Sequence, residues 1–375
     1  MSGAGPQTGV GKAGIESPMV GVRRTLDGMD RLLGVVFDEL RRWDGEVTLD
    51  GIPGSSSGLR IDLVAELTSR TANHGKRIRP VVAHWGWVAA GGPRTGSQQQ
   101  LVRLAAAMEL LHLFALVQDD VMDRSDERRG APTMHLAATR LHRQADGLGD
   151  PALFGDSVAT LLGDLALSEA TLLVADAAAP VRALWRRMTV ELVQGQLLDV
   201  TQAASRQREM AAARRIARLK SGRYTITRPL QLGALTADAP PSLVAQLEHY
   251  GDLLGEAFAV RDDILGVWGD PARTGKPAGD DLRSAKPTVL LALAHRRIRD
   301  ADRQLLDRCD TGSLDDAGVV ALQQALVDCG VRDIAERLVQ DLTAQAADVL
   351  RELPIDEAAV PGLQQLADAI AWRDA

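Results

Sequence analysis

Three aspartates, Asp119, Asp120 and Asp123, end an apolar stretch of the chain and are followed by Arg128 and Arg129. On a helix, Asp119 and Asp123 lie one turn apart on the same face, with Asp120 beside them. Carboxylates this close repel one another unless a cation neutralises them, and their hard oxygens suit Mg²⁺ together with phosphate oxygens. Because the paired N–H donors of an arginine guanidinium match the geometry of phosphate oxygens, the segment predicts a diphosphate site.

A second acidic pair, Asp262 and Asp263, ends another apolar segment that begins near Ala257. A single acidic pair after a helix is usually just a solvated helix end. Two such pairs, far apart in sequence and each at the end of an apolar run, favour a different interpretation. This interpretation predicts that the two pairs face each other across a cavity and hold several metal ions around one diphosphate.

Further cationic residues could bind phosphate. Lys76 and Arg79 are three residues apart, so at a helix start they share a face and the positive end of the dipole. His112 precedes Asp119 by seven residues and points the same way, although a lone histidine on an apolar helix is more often a core residue. The remaining candidates are Lys220 with Ser221, and Lys276 in a glycine loop with Asp280, Asp281 and Lys286 nearby. This loop predicts a mobile lid over phosphate oxygens, against the alternative of a charged surface loop.

The composition narrows the class of protein. The 375 residues are 45% hydrophobic and 25% charged, with a net charge of −7, which argues against a nucleic-acid partner. Two cysteines, Cys309 and Cys329, predict no disulfide framework and a reducing compartment. No run of 18 residues lacks a charge and no apolar signal core begins the chain, so we expect a cytoplasmic protein without a transmembrane segment.

The pattern of apolar residues predicts an all-α protein of about a dozen helices around a deep cavity. Residues 1–20, rich in glycine, are expected to form a disordered tail, and residues 21–375 a single domain. A loop is predicted from Gly45 to Gly58. Helices are predicted from Gly21 and near 60–72, 78–90, 98–118, 132–145, 154–176, 180–203, 208–235, 242–268, 286–307, 315–327, 331–352 and 357–372.

The order of these motifs resembles that of the trans-isoprenyl diphosphate synthases, over about residues 60 to 290. The matching pieces are Gly-Lys-Arg-x-Arg-Pro from Gly75, DDxxD with Arg-Arg-Gly from Asp119, Lys-Ser from Lys220, the pair from Asp262, and Thr-Gly-Lys-Pro from Thr274. The resemblance implies a helical bundle around a product cavity, usually a homodimer. It also implies two substrates, an allylic diphosphate and isopentenyl diphosphate.

The resemblance assigns a role to each matching residue. Catalysis is implied for Asp119, Asp120, Asp123, Lys220, Asp262 and Asp263. Up to three Mg²⁺ ions would be bound by Asp119, Asp123 and Asp262. The allylic diphosphate would be held by Arg128, Lys220, Ser221 and Lys276. Isopentenyl diphosphate would be held by Lys76, Arg79, His112 and Arg129.

The implied reaction needs charge stabilisation rather than a nucleophilic side chain. Metal ions and cations stabilise the leaving diphosphate as the allylic C–O bond breaks. The double bond of isopentenyl diphosphate attacks the allylic cation, and proton loss to the departed diphosphate gives a chain five carbons longer. Accordingly, the sequence offers no convincing Ser/His/Asp or Cys/His arrangement.

Three positions depart from the family pattern. Gly266 stands where the third aspartate of the second motif is expected, and Asp270 or Asp280 could partly compensate. Ala259 stands in place of a glutamine, and Ser221 in place of a threonine, whose hydroxyl it keeps. These changes predict reduced or specialised activity without the loss of a core group.

Product length depends on the cavity wall below Asp119. In the family a bulky residue five places before the first aspartate limits the growing chain, and Phe114 holds that place, with Ala115 and Leu111 beside it. This pattern resembles the enzymes that make geranylgeranyl diphosphate (C20), with farnesyl diphosphate as the alternative. The simpler alternative is that Phe114 only packs in the core.

Two other functions compete with a synthase. A class I terpene cyclase also ionises a diphosphate with an aspartate-rich motif, but it has no use for a second cationic pocket, and aromatic residues make up only 3% of this chain. A non-catalytic partner subunit that modulates an active synthase is expected to lack one aspartate cluster. This chain has both clusters.

Overall fold

A computed structural model describes residues 18–47, 59–73, 75–95, 97–205, 208–274 and 278–372. The described chain is almost entirely helical, which confirms the predicted all-α class. Its strands are the short antiparallel pair β1 (Glu127–Arg128) and β2 (Ala131–Pro132). The first helices are α1 (Pro18–Val47), α2 (Leu63–Ala72), α3 (Ile78–Ala89), α4 (Gly92–Thr95), α5 (Gln98–Met122), α6 (Met134–Gln144), α7 (Pro151–Leu173) and α8 (Ala179–Ser205).

The second half of the chain continues the bundle. Its α-helices are α9 (Met210–Ile216), α10 (Arg228–Leu235), α11 (Pro241–Trp268), α12 (Pro271–Thr274), α13 (Asp280–Arg283), α14 (Val289–Arg297), α15 (Arg303–Asp310), α16 (Asp316–Asp328), α17 (Val331–Glu352) and α18 (Val360–Ala371). A π-helix (Ala217–Thr227) joins α9 to α10, and short 3₁₀ turns cover Asp300–Asp302 and Glu357–Ala359.

Several predicted boundaries differ from the structure. Helix α1 begins at Pro18, so residues 18–20 are helical instead of belonging to the predicted tail, whose other residues lie outside the described ranges. The same helix runs to Val47, into the predicted loop from Gly45. The segment predicted as one helix at 208–235 is three elements, and that predicted at 286–307 is broken after Arg297.

Helix α5 lies at the centre of the bundle, against α7, α1 and α3. It begins at the N-cap Ser97, whose hydroxyl accepts a hydrogen bond from Gln100 N at 3.3 Å. By length and composition this helix could cross a membrane, but 61% of its most apolar window is buried inside the protein. Such burial on all sides is typical of the core helix of a large bundle.

Helix α11, which carries the second acidic pair, is also a core helix of the bundle. It packs against the π-helix and α17, while α8 also contacts the π-helix. The buried apolar side chains of these helices belong to one contiguous cluster, so the elements that carry the acidic motifs share a core. The C-terminal parts of α5 and α11 and the π-helix between α9 and α10 therefore position the candidate site.

Candidate active site

The first acidic motif lies at the C-terminal end of α5. Asp123 is the C-cap residue, and its N–H donates to Asp119 O at 2.8 Å, so the two carboxylates lie one turn apart as predicted. The side chains of Asp119 and Asp123 are 16% and 17% exposed, whereas that of Asp120 is 5% exposed. Two carboxylates thus face the site and the third is turned into the protein.

Asp120 binds Arg128. Both Arg128 Nε, at 2.9 Å, and Nη2 donate to Asp120 Oδ1, and Nη2 lies 3.8 Å from Asp119 Oδ2. The short β1–β2 hairpin delivers Arg128, and its tight turn uses positive φ at Arg129 and Gly130. Burial opposes the charge of Arg128, but Asp120 and Asp119 outweigh it and raise the pKa of the guanidinium. Arg128 therefore stays charged at the edge of the acidic cluster.

Two lysines neutralise the other two aspartates. Lys220 Nζ, from the π-helix, lies 2.8 Å from Asp119 Oδ1, and Lys286 Nζ lies 2.8 Å from Asp123 Oδ2. Burial raises the pKa of Asp119, but Lys220 and Lys286 overcome this effect and hold it well below its usual range. The sequence places Lys286 only near the predicted lid loop, because nothing local indicates that it reaches Asp123.

A third carboxylate, Asp199 of α8, completes the cluster. Lys220 Nζ also donates to Asp199 Oδ2 at 2.5 Å, and Gln196 Nε2 from the same helix donates to Asp119 Oδ1 at 3.0 Å. Within the described ranges, Asp119, Asp123 and Asp199 each offer an oxygen within 4.8 Å of the others. Carboxylate oxygens converging this closely are ligands that suit Mg²⁺. Asp199 is not among the residues that the sequence predicts as metal ligands.

The second acidic motif lies on α11, where Asp262 is exposed and Asp263 is half-buried. Asp263 Oδ2 accepts a hydrogen bond from Val289 N, the first residue of α14, at 3.0 Å. Burial, and then the nearby Asp281, raise the pKa of Asp263 well above its usual value. Asp263 therefore contacts the N-terminus of α14, and Asp262 is the exposed member of the pair.

Gly266 lies one turn after Asp262 on the same helix. A Cβ at Gly266 would lie 1.9 Å from Asp281 Oδ2, so the carboxylate of Asp281 already fills that place. Asp281 Oδ1 also lies 3.8 Å from Lys286 Nζ. Asp270 or Asp280 was predicted to compensate for the missing aspartate, but in the structure Asp281, the residue after Asp280, lies there.

The predicted isopentenyl diphosphate residues gather beside α3. Arg79 Nη2 donates to Thr225 Oγ1 at 2.9 Å, and its guanidinium lies 4.2 Å from the centre of the Tyr224 ring. The ring of His112 lies 6.4 Å from the same tyrosine. Burial, and then the charges of Arg79 and Arg129, hold the pKa of His112 well below 6.5, so the imidazole is neutral at pH 7.

Arg129 and Lys76 border this group. Arg129 Nη1 donates to Asn73 O at 2.6 Å, and a Cβ on Gly75 would lie 2.8 Å from Arg129 Nη2. Gly75 therefore lets the chain pass close to the guanidinium, and the exposed Lys76 follows directly. Tyr224 was missed, since a tyrosine four residues after Lys220 carries no signal on its own.

The remaining predicted residues lie around this centre or outside the described chain. Ser221 is half-buried next to Lys220 on the π-helix, and Lys276 lies outside the described residues. On α5, Leu111 has no exposed surface, Phe114 is 8% exposed and Ala115 is half-buried. Ala259 is buried on α11 at 2% exposure.

Comparison with known proteins gives consistent matches. The family model of the polyprenyl synthetases matches residues 62–325. Geranylfarnesyl diphosphate synthase from Aeropyrum pernix is 30% identical over 80% of this chain and 90% of its own, and (2E,6E)-farnesyl diphosphate synthase from Mycobacterium tuberculosis is 32% identical over 81% of each. The crystal structure of geranylgeranyl pyrophosphate synthase from Corynebacterium glutamicum, complexed with isoprenyl diphosphate and magnesium, is 36% identical over 95% of this chain and 98% of that one, with a TM-score of 0.81.

Proposed function

Because the chain belongs to the polyprenyl synthetase family, the trans-isoprenyl diphosphate synthases, it is a prenyltransferase, and we propose that its product is geranylgeranyl diphosphate. In this proposal it condenses isopentenyl diphosphate with allylic diphosphates head to tail and releases a C20 chain. The site assignment rests above all on one observation, the convergence of Asp119, Asp123 and Asp199 opposite Lys220 and Lys286.

The acidic residues fit Mg²⁺, the usual cofactor of the family. Asp119, Asp123 and Asp199 offer hard oxygen ligands close enough to share an ion, and Asp262 stands exposed on α11 as a further ligand. Bound there, Mg²⁺ would supply positive charge to the diphosphate leaving group. We propose that Asp120 and Asp263, which bind Arg128 and Val289 N, support these ligands from behind.

The cations beside the acidic cluster would bind the allylic diphosphate. Lys220, Lys286 and Arg128 each touch an aspartate of the first motif, so all three reach the place where a metal-bound diphosphate would lie. When the substrate binds, phosphate oxygens would replace these carboxylate contacts. The cations would then stabilise the charge that develops on the leaving group as the C–O bond breaks.

A second group of residues would orient isopentenyl diphosphate. Arg79 and Arg129 supply charge, and the pKa of His112 is lowered so that this residue can accept or donate a hydrogen bond as a neutral ring. The ring of Tyr224 keeps the Arg79 guanidinium in place through a cation–π contact. The exposed Lys76, in the loop before α3, would be a further phosphate ligand.

The assignment of a C20 product rests on Phe114. This side chain lies below Asp119 on α5 and keeps some exposed surface, whereas Leu111 has none, so Phe114 is the better candidate for a floor that stops the chain. The relatives carry names of different product lengths, and farnesyl diphosphate is the second candidate product.

The test is a product assay with Mg²⁺, isopentenyl diphosphate and, separately, C5, C10 and C15 allylic diphosphates. A C20 diphosphate from each starter supports the proposal, and a C15 product makes the chain a farnesyl diphosphate synthase. Cyclic hydrocarbon from an allylic substrate alone indicates a terpene cyclase. An absence of turnover indicates a non-catalytic subunit that modulates another chain.

We also propose that the protein is a homodimer in the cytoplasm. Helix α8 exposes Val190, Val193, Leu197 and Val200 at helical spacing, and α7 exposes Leu153, Leu161 and Leu172. Apolar stripes of this length are typical of a protein–protein interface. The mass in solution from light scattering tests this, with Leu197→Glu expected to give a monomer and the exposed Val320→Glu on α16 as a control that leaves the mass unchanged.

A further inference from the structure

The π-helix from Ala217 to Thr227 is an unusual support for a reactive lysine. Its eleven residues exceed the single turn in which π geometry generally occurs, and the N–H of the next residue, Arg228, bonds to Arg223 O in the same wide pattern. Because such a wide helix is rarely stable by itself, contacts from neighbouring helices must hold this one. The residues that make those contacts control where its side chains point.

One face of the π-helix serves the site. Lys220 Nζ reaches Asp119 and Asp199, and Thr225 Oγ1 accepts from Arg79 at 2.9 Å. These contacts belong to the two separate groups of cations, the one beside the first acidic motif and the one beside α3. A single short element therefore contacts residues at both proposed diphosphate positions.

The opposite face is clamped by Arg223. Its Nε and Nη2 donate to Asp252 of α11 at 3.1 and 2.7 Å, and its Nη1 donates to Glu191 of α8 at 3.1 Å. Nη2 also donates to Glu248 at 3.0 Å, and Thr227 Oγ1, one turn on, donates to Asp252 Oδ1 at 3.0 Å. With its side chain 10% exposed, Arg223 thus joins the π-helix to three carboxylates on two helices.

The contacts of Arg223 do more than connect α8 to α11. Arg228 of α10 donates to Glu191 at 2.8 Å and lies 3.2 Å from Glu248, so it joins the same two helices without Arg223. Arg214 of α9 similarly binds Glu256 of α11, with Nε at 2.7 Å from Oε1. What Arg223 adds is the attachment of the π-helix itself.

We propose that Arg223 is a positioning residue for the condensation: by clamping one face of the π-helix to α8 and α11, it holds Lys220 at the acidic cluster and Thr225 at Arg79. This inference rests on the proposed function for the identity of the two substrates. The geometry of the clamp does not depend on it. Arg223 touches neither proposed diphosphate position and acts through the backbone of the π-helix.

Arg223→Met tests the proposal, with Arg214→Met as the matched control that removes an arginine–carboxylate pair between α9 and α11. We expect Arg223→Met to lower kcat/KM roughly 10- to 100-fold, because misplacing a positioning group by about 1 Å has that effect. KM should rise for both substrates. Arg214→Met should change kcat and KM less than about twofold. Arg223→Lys, which keeps the charge but not the fork, should fall between the wild type and the methionine variant.

A second readout distinguishes positioning from stability. Hydrogen exchange in the intact enzyme should be faster at residues 217–227 in Arg223→Met and unchanged there in Arg214→Met. Asp252 keeps Arg218 as a partner, with Nη2 2.6 Å from Oδ2, so the variant does not leave that carboxylate unpaired. If Arg223→Met does not fold, the same kinetic and hydrogen-exchange measurements on Arg223→Lys are compared with those on Arg214→Met.

The outcomes separate the two proposals. A lower melting temperature with wild-type kcat, KM and exchange at residues 217–227 overturns the positioning role. A wild-type enzyme that makes no elongated product overturns the proposed function. In that case the exchange contrast, together with calorimetric binding of inorganic diphosphate in Mg²⁺, still tests the clamp.

Discussion

Lys286 Nζ lies 2.8 Å from Asp123 Oδ2, although the two residues are far apart in sequence. Asp123 is the C-cap of α5, and Lys286 lies between α13 and α14. Asp281 also lies near this ammonium, and the two carboxylates raise the pKa of Lys286 well above its usual value in spite of burial. The preceding residue, Ala285, has φ of +50°, and Arg208 Nη2 donates to its carbonyl at 3.1 Å. A left-handed alanine held by an arginine indicates that the position of Lys286 is imposed by the fold.

Loss of Lys286 should therefore impair ionisation of the allylic substrate. We expect Lys286→Ala to lower kcat by roughly 10²- to 10³-fold, the usual effect of removing one donor that stabilises a developing anion. Steady-state kinetics with the C15 diphosphate measures this. Arg283→Ala is the control, because Arg283 belongs to the same segment but pairs with the exposed Asp316. Comparable kcat values for the two variants would show that Lys286 does not stabilise the leaving group.

A carboxylate introduced at position 266 should be able to replace the carboxylate of Asp281. Since Asp281 Oδ2 occupies the place of a Cβ on Gly266, Asp281→Ala leaves that place empty, and we expect it to lower kcat/KM about tenfold, or ~1.4 kcal/mol. Adding Gly266→Asp in the Asp281→Ala background should restore most of the loss. The readouts are kcat/KM and the Mg²⁺ concentration for half-maximal rate. A double variant no better than Asp281→Ala alone would contradict the exchange.

Phe114 should set the product length. We expect Phe114→Ala to give products longer than C20, because the shortened side chain opens the space below Asp119 to further isoprene units. Chromatography of the dephosphorylated products measures this. Leu111→Ala is the comparison: fully buried, it should lower the free energy of unfolding by ~2–5 kcal/mol without lengthening the product. If Leu111→Ala lengthens the product and Phe114→Ala does not, the floor lies at Leu111.

Acid should destabilise the protein through His84. This buried imidazole on α3, 2.9 Å from Thr25 Oγ1, has its pKa lowered by burial from 6.5 to about 4. Between these values the unfolded chain takes up a proton that the folded chain does not, so stability falls as pH decreases from 6.5 to about 4. The effect is at most about 3 kcal/mol.

Chemical denaturation at pH 7 and pH 4.5 measures this dependence. His84→Gln should unfold with a smaller difference between the two pH values than the wild type, because an amide does not titrate. An equal difference in both proteins would assign the acid sensitivity to other groups.

The sequence by itself determined the fold class and most of the chemistry. The helical periodicity predicted an all-α bundle, and the i, i+4 spacing of Asp119 and Asp123 put them on one face, because both follow from local geometry that the chain carries wherever it folds. The same holds for the pairing of acidic and basic motifs, whose residue types alone indicated a diphosphate.

Only the tertiary structure decided which residues meet. Asp199 joins the first motif because α8 packs beside the π-helix, and Asp281 fills the place beside Gly266 because α13 folds back on α11. The π-helix, too, read from the sequence as part of an ordinary helix, and only the structure shows that Arg223 joins it to three carboxylates on α8 and α11. Contacts of this kind depend on packing between distant segments, which periodicity and spacing along one segment do not encode.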